Sequence, residues 1–557
     1  PALLAPEQER ECWEQVIAES EWGGKLLAPA QTATQCADAW HLAHRWRIAG
    51  ALGVFPGNED AEAFAQWSKT YLARTPGDID AARLPDAVVP LLGERALRKP
   101  RQLVAYAFDI LPPQTADFFR ACGDAGIELH HCGPVRQNTN PVRVACASAR
   151  AELEAAARWA RARLEAGGGR IGVVVPELAE RRKEVVRVFS RVMQPGRHLP
   201  GAKAHPMPFN ASLGAPLAEY PIVHAALGIL ELSSQEIGFA SASRLIRSPF
   251  IGGAESEMAA RARLDGDLRR KLPARVTLPK LVALVDQCPV LRSRLEALFS
   301  CAKAHLSGMR TAHAWAAHCT ALLDAAGFPG ERALDSNEFQ ARAKFNETLA
   351  AFARLERVAK EMTFSGALAR LRRLCAETLF QPESGEAPIQ VLGILESAGI
   401  EFDHLWVSGL TDEAWPMHAR SNPFIAVALQ KKAGILQASA EGSLALDRRI
   451  TEGWFGAASE VIVSYPKMEG DRELLPSPLI FAVPLISAVT RGTAETMEPL
   501  NYRDVIFTAG VMESIRDEQG PPLAAKRVKG GTRVLADQSA CPFRAFARHR
   551  LGAEGLE

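Results

Sequence analysis

Residues 389–416 read IQVLGILESAGIEFDHLWVSGLTDEAWP. The runs IQVLGIL (389–395) and HLWVSGL (404–410) are short and apolar, and each reads as a buried strand. A helix over 443–458 and another strand, EVIVSYP (460–466), follow. Strands alternating with helices in this way predict a parallel α/β layer.

The same alternation lies upstream: strand VRVACA (142–147), an Ala-rich helix over 152–165, strand RIGVVV (170–175) and a basic helix from Glu177. Gly167, Gly168 and Gly169 precede a strand rather than opening a helix, so they read as a helix stop and turn, not a phosphate loop. Between the two α/β stretches, residues 235–380 carry helical periodicity and many arginines, as in SRLIRSPF, RLDGDLRRKL and ALARLRRLCAETLF. A sheet interrupted by a helical insertion accounts for this order. Earlier in the chain, QLVAYAFDI (102–110), PPQTADFFRACGDAG and IELHHC (127–132) read strand, helix, strand. His130, His131 and Cys132 are adjacent on a strand and point to alternate faces, which argues against a shared metal. Residues 1–75 set tryptophans and leucines at helical spacing, and the stripe Trp40, His44, Arg47 reads as helix packing rather than a ligand site.

Composition bounds the rest. A chain of 557 residues is expected to form two to four domains. With 47% hydrophobic and 23% charged residues and no long uncharged apolar run, it reads as an ordinary globular protein without a membrane span. The start, PALLAPEQERECWEQ, lacks the pattern of a secretory signal, so the cytoplasm is the expected compartment. Ten cysteines without a CxxC pair argue against a zinc ribbon or a disulfide framework. A net charge of +1 leaves any nucleic-acid surface to local patches.

The frame of 389–416 resembles the motif V region of UvrD-type superfamily 1 helicases. Gln390, Gly399, Ile400, Glu401, Phe402, Gly409 and Pro416 keep the family's positions, while Gly393, Leu395 and Ala398 stand where the family has threonine, histidine and lysine. IGVVVPELAERR (171–182) resembles motif IV, with Pro176 at the place of its arginine. LDRRITEGWFGAASEVIVSYP (446–466) resembles motif VI, with Gly456, Ala457 and Ala458 in the region of its Thr-Arg-Ala. QSACPFRAFA (538–547), with Leu551 and Gly552, resembles the first helix of the RecB/AddB-type PD-(D/E)XK nuclease domain. FNASLGAPLAEYP (209–221) and VSYPKMEGDRELLPSPLI (463–480) are similar to segments of inactivated-helicase nuclease proteins of DNA repair. In order, these cover most of 100–557 and resemble the AddB-like helicase-nucleases.

That resemblance implies an α/β fold of parallel-sheet, RecA-like superfamily 1 helicase domains with an inserted, mainly helical domain. It divides the chain into a remnant of a first helicase-like domain (1–140), a second RecA-like domain in two halves (141–234 and 385–494), the helical insertion (235–384), a linker (495–530) and the start of a nuclease domain (531–557). The chain is then expected to be cut at both ends. Phosphoryl transfer depends on preorganised positive charge, which Pro176, Ala398 and Ala457 cannot supply. The chain also has no GxxxxGK[ST] loop, and Gly23-Gly24-Lys25 lacks its spacing. ATP hydrolysis is therefore not expected, although Glu401 stands where the family places a nucleotide-facing glutamate.

The implied role is a DNA-binding body that processes DNA ends beside a motor helicase-nuclease subunit, with no catalytic residue in this chain. Charge for single-stranded DNA would come from Arg244 and Arg247 and from the tail residues Lys526, Arg527, Lys529, Arg533, Arg544, Arg548 and Arg550. No cofactor is expected within the chain itself. The resemblance makes Cys541 one ligand of an iron–sulfur cluster whose partners, like the Mg²⁺-binding nuclease acids, would lie beyond Glu557. The competing reading is a non-catalytic scaffold of helicase shape that binds proteins and no DNA.

Overall fold

The structure, a computed structural model, describes residues 2–94, 97–108, 110–198, 205–383, 387–486, 516 and 530–553. It divides into two units, Pro1–Thr493 and Ala494–Glu557.

The first unit is built on a seven-stranded, all-parallel sheet. Its strands in chain order are β1 (Val142–Cys146), β2 (Ile171–Val174), β3 (Phe209–Ala211), β4 (Ile389–Leu392), β5 (His404–Val407), β6 (Glu460–Pro466) and β7 (Leu485–Ile486). Across the sheet they run β7-β1-β6-β5-β2-β4-β3. Successive side chains enter different cores, as a period of two requires. Val144, Val173, Val391, Trp406 and Ile462 pack under α1 (Ala149–Glu165) and α2 (Leu178–Met193). Val174, Leu405, Val407, Val461 and Val463 pack on the other face against Trp415 and α3 (Ala440–Phe455). A sheet covered on both faces needs strands that are apolar on both, which the sequence runs are.

The glycine stop after α1 is as expected. Gly167 takes φ +80°, and the amides of Gly167 and Gly168 donate to Leu164 O (3.1 Å) and Arg163 O (2.8 Å), closing the helix's last carbonyls. Other boundaries shift. The strand read over 389–395 ends at Leu392, because Gly393 leads into the one-turn helix Ile394–Ser397. The helix read over 443–458 is Ala440–Phe455, started by Ser439, whose hydroxyl accepts the Gly442 amide (3.1 Å).

A mainly helical body interrupts the sheet between β3 and β4. It begins earlier than the 235 read from the sequence. Leu217 and the helix Pro221–Ser234 already belong to its core, together with Trp315, Phe345, Phe352 and Leu371. Within it the buried Glu257 carboxylate accepts the amides of Val290 (2.7 Å) and Leu291 (3.0 Å), capping the helix Pro289–His305, and pairs with buried Arg261.

The N-terminal helices Pro6–Ala18, Pro29–Arg45 and Glu59–Arg74 form a further core around Trp13, Trp40, Phe64 and Tyr71, completed by Phe424 and Leu429 from beyond β5. Trp40 is buried and bonds Asp80 (3.2 Å), while Arg47 reaches Asp86 (2.7 Å), so this stripe is packing. Strands Gln102–Tyr106 and Glu128–Cys132 pair in parallel with each other and not with the seven-stranded sheet.

In the second unit the helix expected near Ala536 is two helices, Thr532–Ala540 and Pro542–His549. Pro542 pushes Cys541 into an extended conformation (φ −165°, ψ 114°), which breaks the run. Lys526, Arg527 and Lys529 and nearly all of the linker lie outside the described residues.

Candidate functional site

In an open parallel sheet, ligands bind outside the carboxyl ends of the strands, where neighbouring strands send their connections to opposite faces. Here that place lies between β2 and β5. After β2 the chain turns into α2 on one face; after β5 it turns through Leu410 and Trp415 to the other. A cavity of about 210 Å³ sits there, lined by Val175, Pro176, Gly409 and Thr411 and flanked by the starts of α1 and α2. Gly409 holds φ +73°, and a Cβ there would lie 3.4 Å from the Pro176 ring, so the two loop tips pack directly.

Glu152, in the first turn of α1, is 1% exposed and lines this cavity. Its Oε1 accepts the Gly409 amide (2.9 Å) and the Ser464 hydroxyl (2.5 Å). Ser464 in turn accepts the indole N–H of Trp406 (2.8 Å). The other oxygen, Oε2, is buried and has no hydrogen-bond partner among the described residues. Burial pushes this carboxyl up to about 7, against the partial relief given by Ser464, Gly409 and the charge of Arg181. At the rim, Arg472 bridges Glu413 (2.7 Å) and Glu469 (2.6 Å), closing the hairpin 468–473 onto the loop after β5.

The other helicase-like positions do not share this cavity. Gly399, Glu401 and Ala457 precede β5 and β6, at the amino edge of the sheet, a strand's length from Pro176. There they meet the segment 133–140. The Glu401 carboxylate accepts the Val135 amide (2.7 Å), Gly456 O accepts the Gln137 amide (2.9 Å), and Ala457 O accepts the Phe402 amide (2.8 Å). Thr139 bonds the carbonyl of buried Ala458, and the Tyr106 hydroxyl bonds Gly399 O (3.2 Å). Glu401 thus has a partner within the chain through one of its carboxyl oxygens. Gln390 bonds Ala387 O (2.7 Å) from β4, and Ala398 is exposed just after the one-turn helix.

The arginines are largely committed to acids. Arg247 and Arg269 both reach Asp265 (3.4 and 3.1 Å), Arg270 reaches Asp267 (2.6 Å), and exposed Arg244 bonds Ser241 (3.2 Å). In the second unit Arg544 (3.1 Å), Arg548 (3.3 Å) and His549 (2.9 Å) converge on buried Asp537. The His549 bond foremost, helped by Arg548 and Arg544, holds that carboxyl below its usual range. Arg533 is exposed. Cys541 is a free, exposed thiol at the joint of the two tail helices. Among the described residues no group of three or more His, Cys, Asp or Glu side chains is placed to hold a metal, and no helix is long and apolar enough to cross a membrane.

The sequence names Pro176 and Gly409 only as positions of the helicase resemblance and does not single out Glu152 or Ser464. The available signal was an acid in the first turn of a helix that directly follows a strand of a parallel sheet. The chain matches no known protein-family profile and no curated protein.

Proposed function

We propose that this chain is a helicase-like body that holds DNA without acting as an ATP motor, working in DNA repair beside a partner that supplies unwinding. The observation that carries this reading is connectivity. A parallel sheet is opened between β3 and β4 by a helical body, and the motif V-like frame runs from β4 to β5 on its return. Pro176 and Ala457 stand where the resemblance puts the family's arginines and carry no charge themselves, which supports a body without phosphoryl-transfer chemistry. A nuclease association is supported by the resemblance around Cys541, together with that of 209–221 and 463–480.

Measured together, ATP turnover and oligonucleotide binding test the proposal. The expected result is binding of single-stranded DNA with no turnover of ATP above the buffer rate. DNA-stimulated turnover would overturn the non-motor assignment, and absence of binding would leave a scaffold of helicase shape.

A further inference from the structure

Glu152 takes no part in the helicase-like reading proposed above. A carboxyl group that is 1% exposed and left with one oxygen unpaired is costly, because a buried polar group without a partner loses its hydration for nothing in return. The two donors that it does have, a backbone amide and a hydroxyl at 2.5 Å, are both gathered on Oε1 and both favour the ionised form. What an ionised Glu152 lacks is a donor, preferably a cation, on Oε2.

The surroundings point the same way. Four acids, Glu152, Glu177, Glu413 and Glu469, line the cavity against two bases, Arg181 and Arg472. Arg472 is already bound by Glu413 and Glu469, and Arg181 by Glu184 (3.1 Å). The cavity's formal charge is therefore negative when Glu152 is ionised, and its volume of about 210 Å³ suits a small organic molecule.

We propose that this carboxyl-edge cavity binds a small organic cation bearing a primary ammonium group, of the diamine or polyamine class, anchored by the Glu152 carboxylate. The ammonium pairs with the Glu152 carboxylate from the cavity side while Gly409 and Ser464 continue to hold Oε1. Binding draws Glu152 into its ionised form, so near neutral pH it releases a proton to the buffer. The other charged and titratable groups that face the site are Glu177 and Arg181 beside α2, Glu413 after β5, Glu469 and Arg472 on the hairpin, and Cys146 on β1. Burial holds the Cys146 thiol up to about 12, so it contributes no proton near neutrality.

The test is calorimetric titration of the whole chain with 1,4-diaminobutane and spermidine, in two buffers of different ionisation enthalpy. Saturable one-to-one binding is expected, with net proton release at pH 7 that fades by pH 8.5. Glu152→Gln, which keeps the shape of the side chain, is expected to weaken binding by on the order of tenfold or more and to abolish the proton release. Arg472→Ala removes a competing cation from the rim and is expected to leave binding intact or strengthen it. The proposal is overturned if neither amine saturates the wild-type chain, if Glu152→Gln binds equally well, or if Mg²⁺ or inorganic phosphate competes at equal concentration.

Discussion

Replacing Glu152 with glutamine should change how stability depends on pH. In the folded chain burial raises the carboxyl from its ordinary value of 4.5 to about 7, so between those values the folded state holds a proton that the unfolded state has lost. Unfolding then releases that proton, and stability falls as pH rises through this window before levelling off above it. The raised value corresponds to about 3 kcal/mol over the whole window. A glutamine amide cannot titrate, so the variant loses this slope whatever constant cost its unsatisfied N–H groups add. Urea unfolding followed by tryptophan fluorescence suits the measurement, because Trp406 donates to the Ser464 hydroxyl that holds Glu152. Relative to wild type, the variant should gain about 2.5 kcal/mol on going from pH 5 to pH 8. Parallel curves for the two proteins over that range would refute the reasoning, since they would mean that Glu152 is solvated or already paired.

Three further perturbations have expected outcomes. Gly399→Ala sets a Cβ 2.4 Å from that of Ala107 at φ +75°, so it should destabilise the amino-edge junction by about 1–3 kcal/mol and expose residues 133–140 to limited proteolysis. Glu257→Ala leaves buried Arg261 without its carboxylate and strips the cap from Val290 and Leu291; a loss of about 3–5 kcal/mol in urea unfolding is expected. Glu460 is pushed up by burial but drawn further down by Arg163, which bonds it twice at 2.7 Å, and by His404, so its net shift is downward. A depressed acid contributes stability above its ordinary 4.5 and loses it as pH falls through the folded value, so Glu460→Gln should flatten the acid limb of the stability profile below pH 4.5.

The strands of the large sheet were legible because buried parallel strands are apolar on both faces, and β6 was read to the residue from EVIVSYP. Their lateral order was not, because it depends on which distant run each strand meets. The start of the helical body was missed for a related reason. PIVHAALGILELSS is apolar almost all round, so its sequence does not say which core it enters. Glu152 looked like the polar start of an Ala-rich helix, and only Ser464, 312 residues away, reveals it as a buried acid. The Val135 amide on Glu401 was equally illegible, because the segment that carries it lies 266 residues away in the chain. Local pattern carries local structure, whereas polar partnership across the sheet is set by topology.

The most direct test of a DNA-holding body is the salt dependence of its affinity for a fluorescently labelled single-stranded oligonucleotide, measured by anisotropy. Neutralised phosphates release counterions, so the logarithm of the binding constant should fall linearly with the logarithm of salt, by about 0.7 per phosphate contacted. A slope corresponding to several phosphates, unchanged by ATP, is the predicted result. No binding at low salt, or an affinity indifferent to salt, would contradict it.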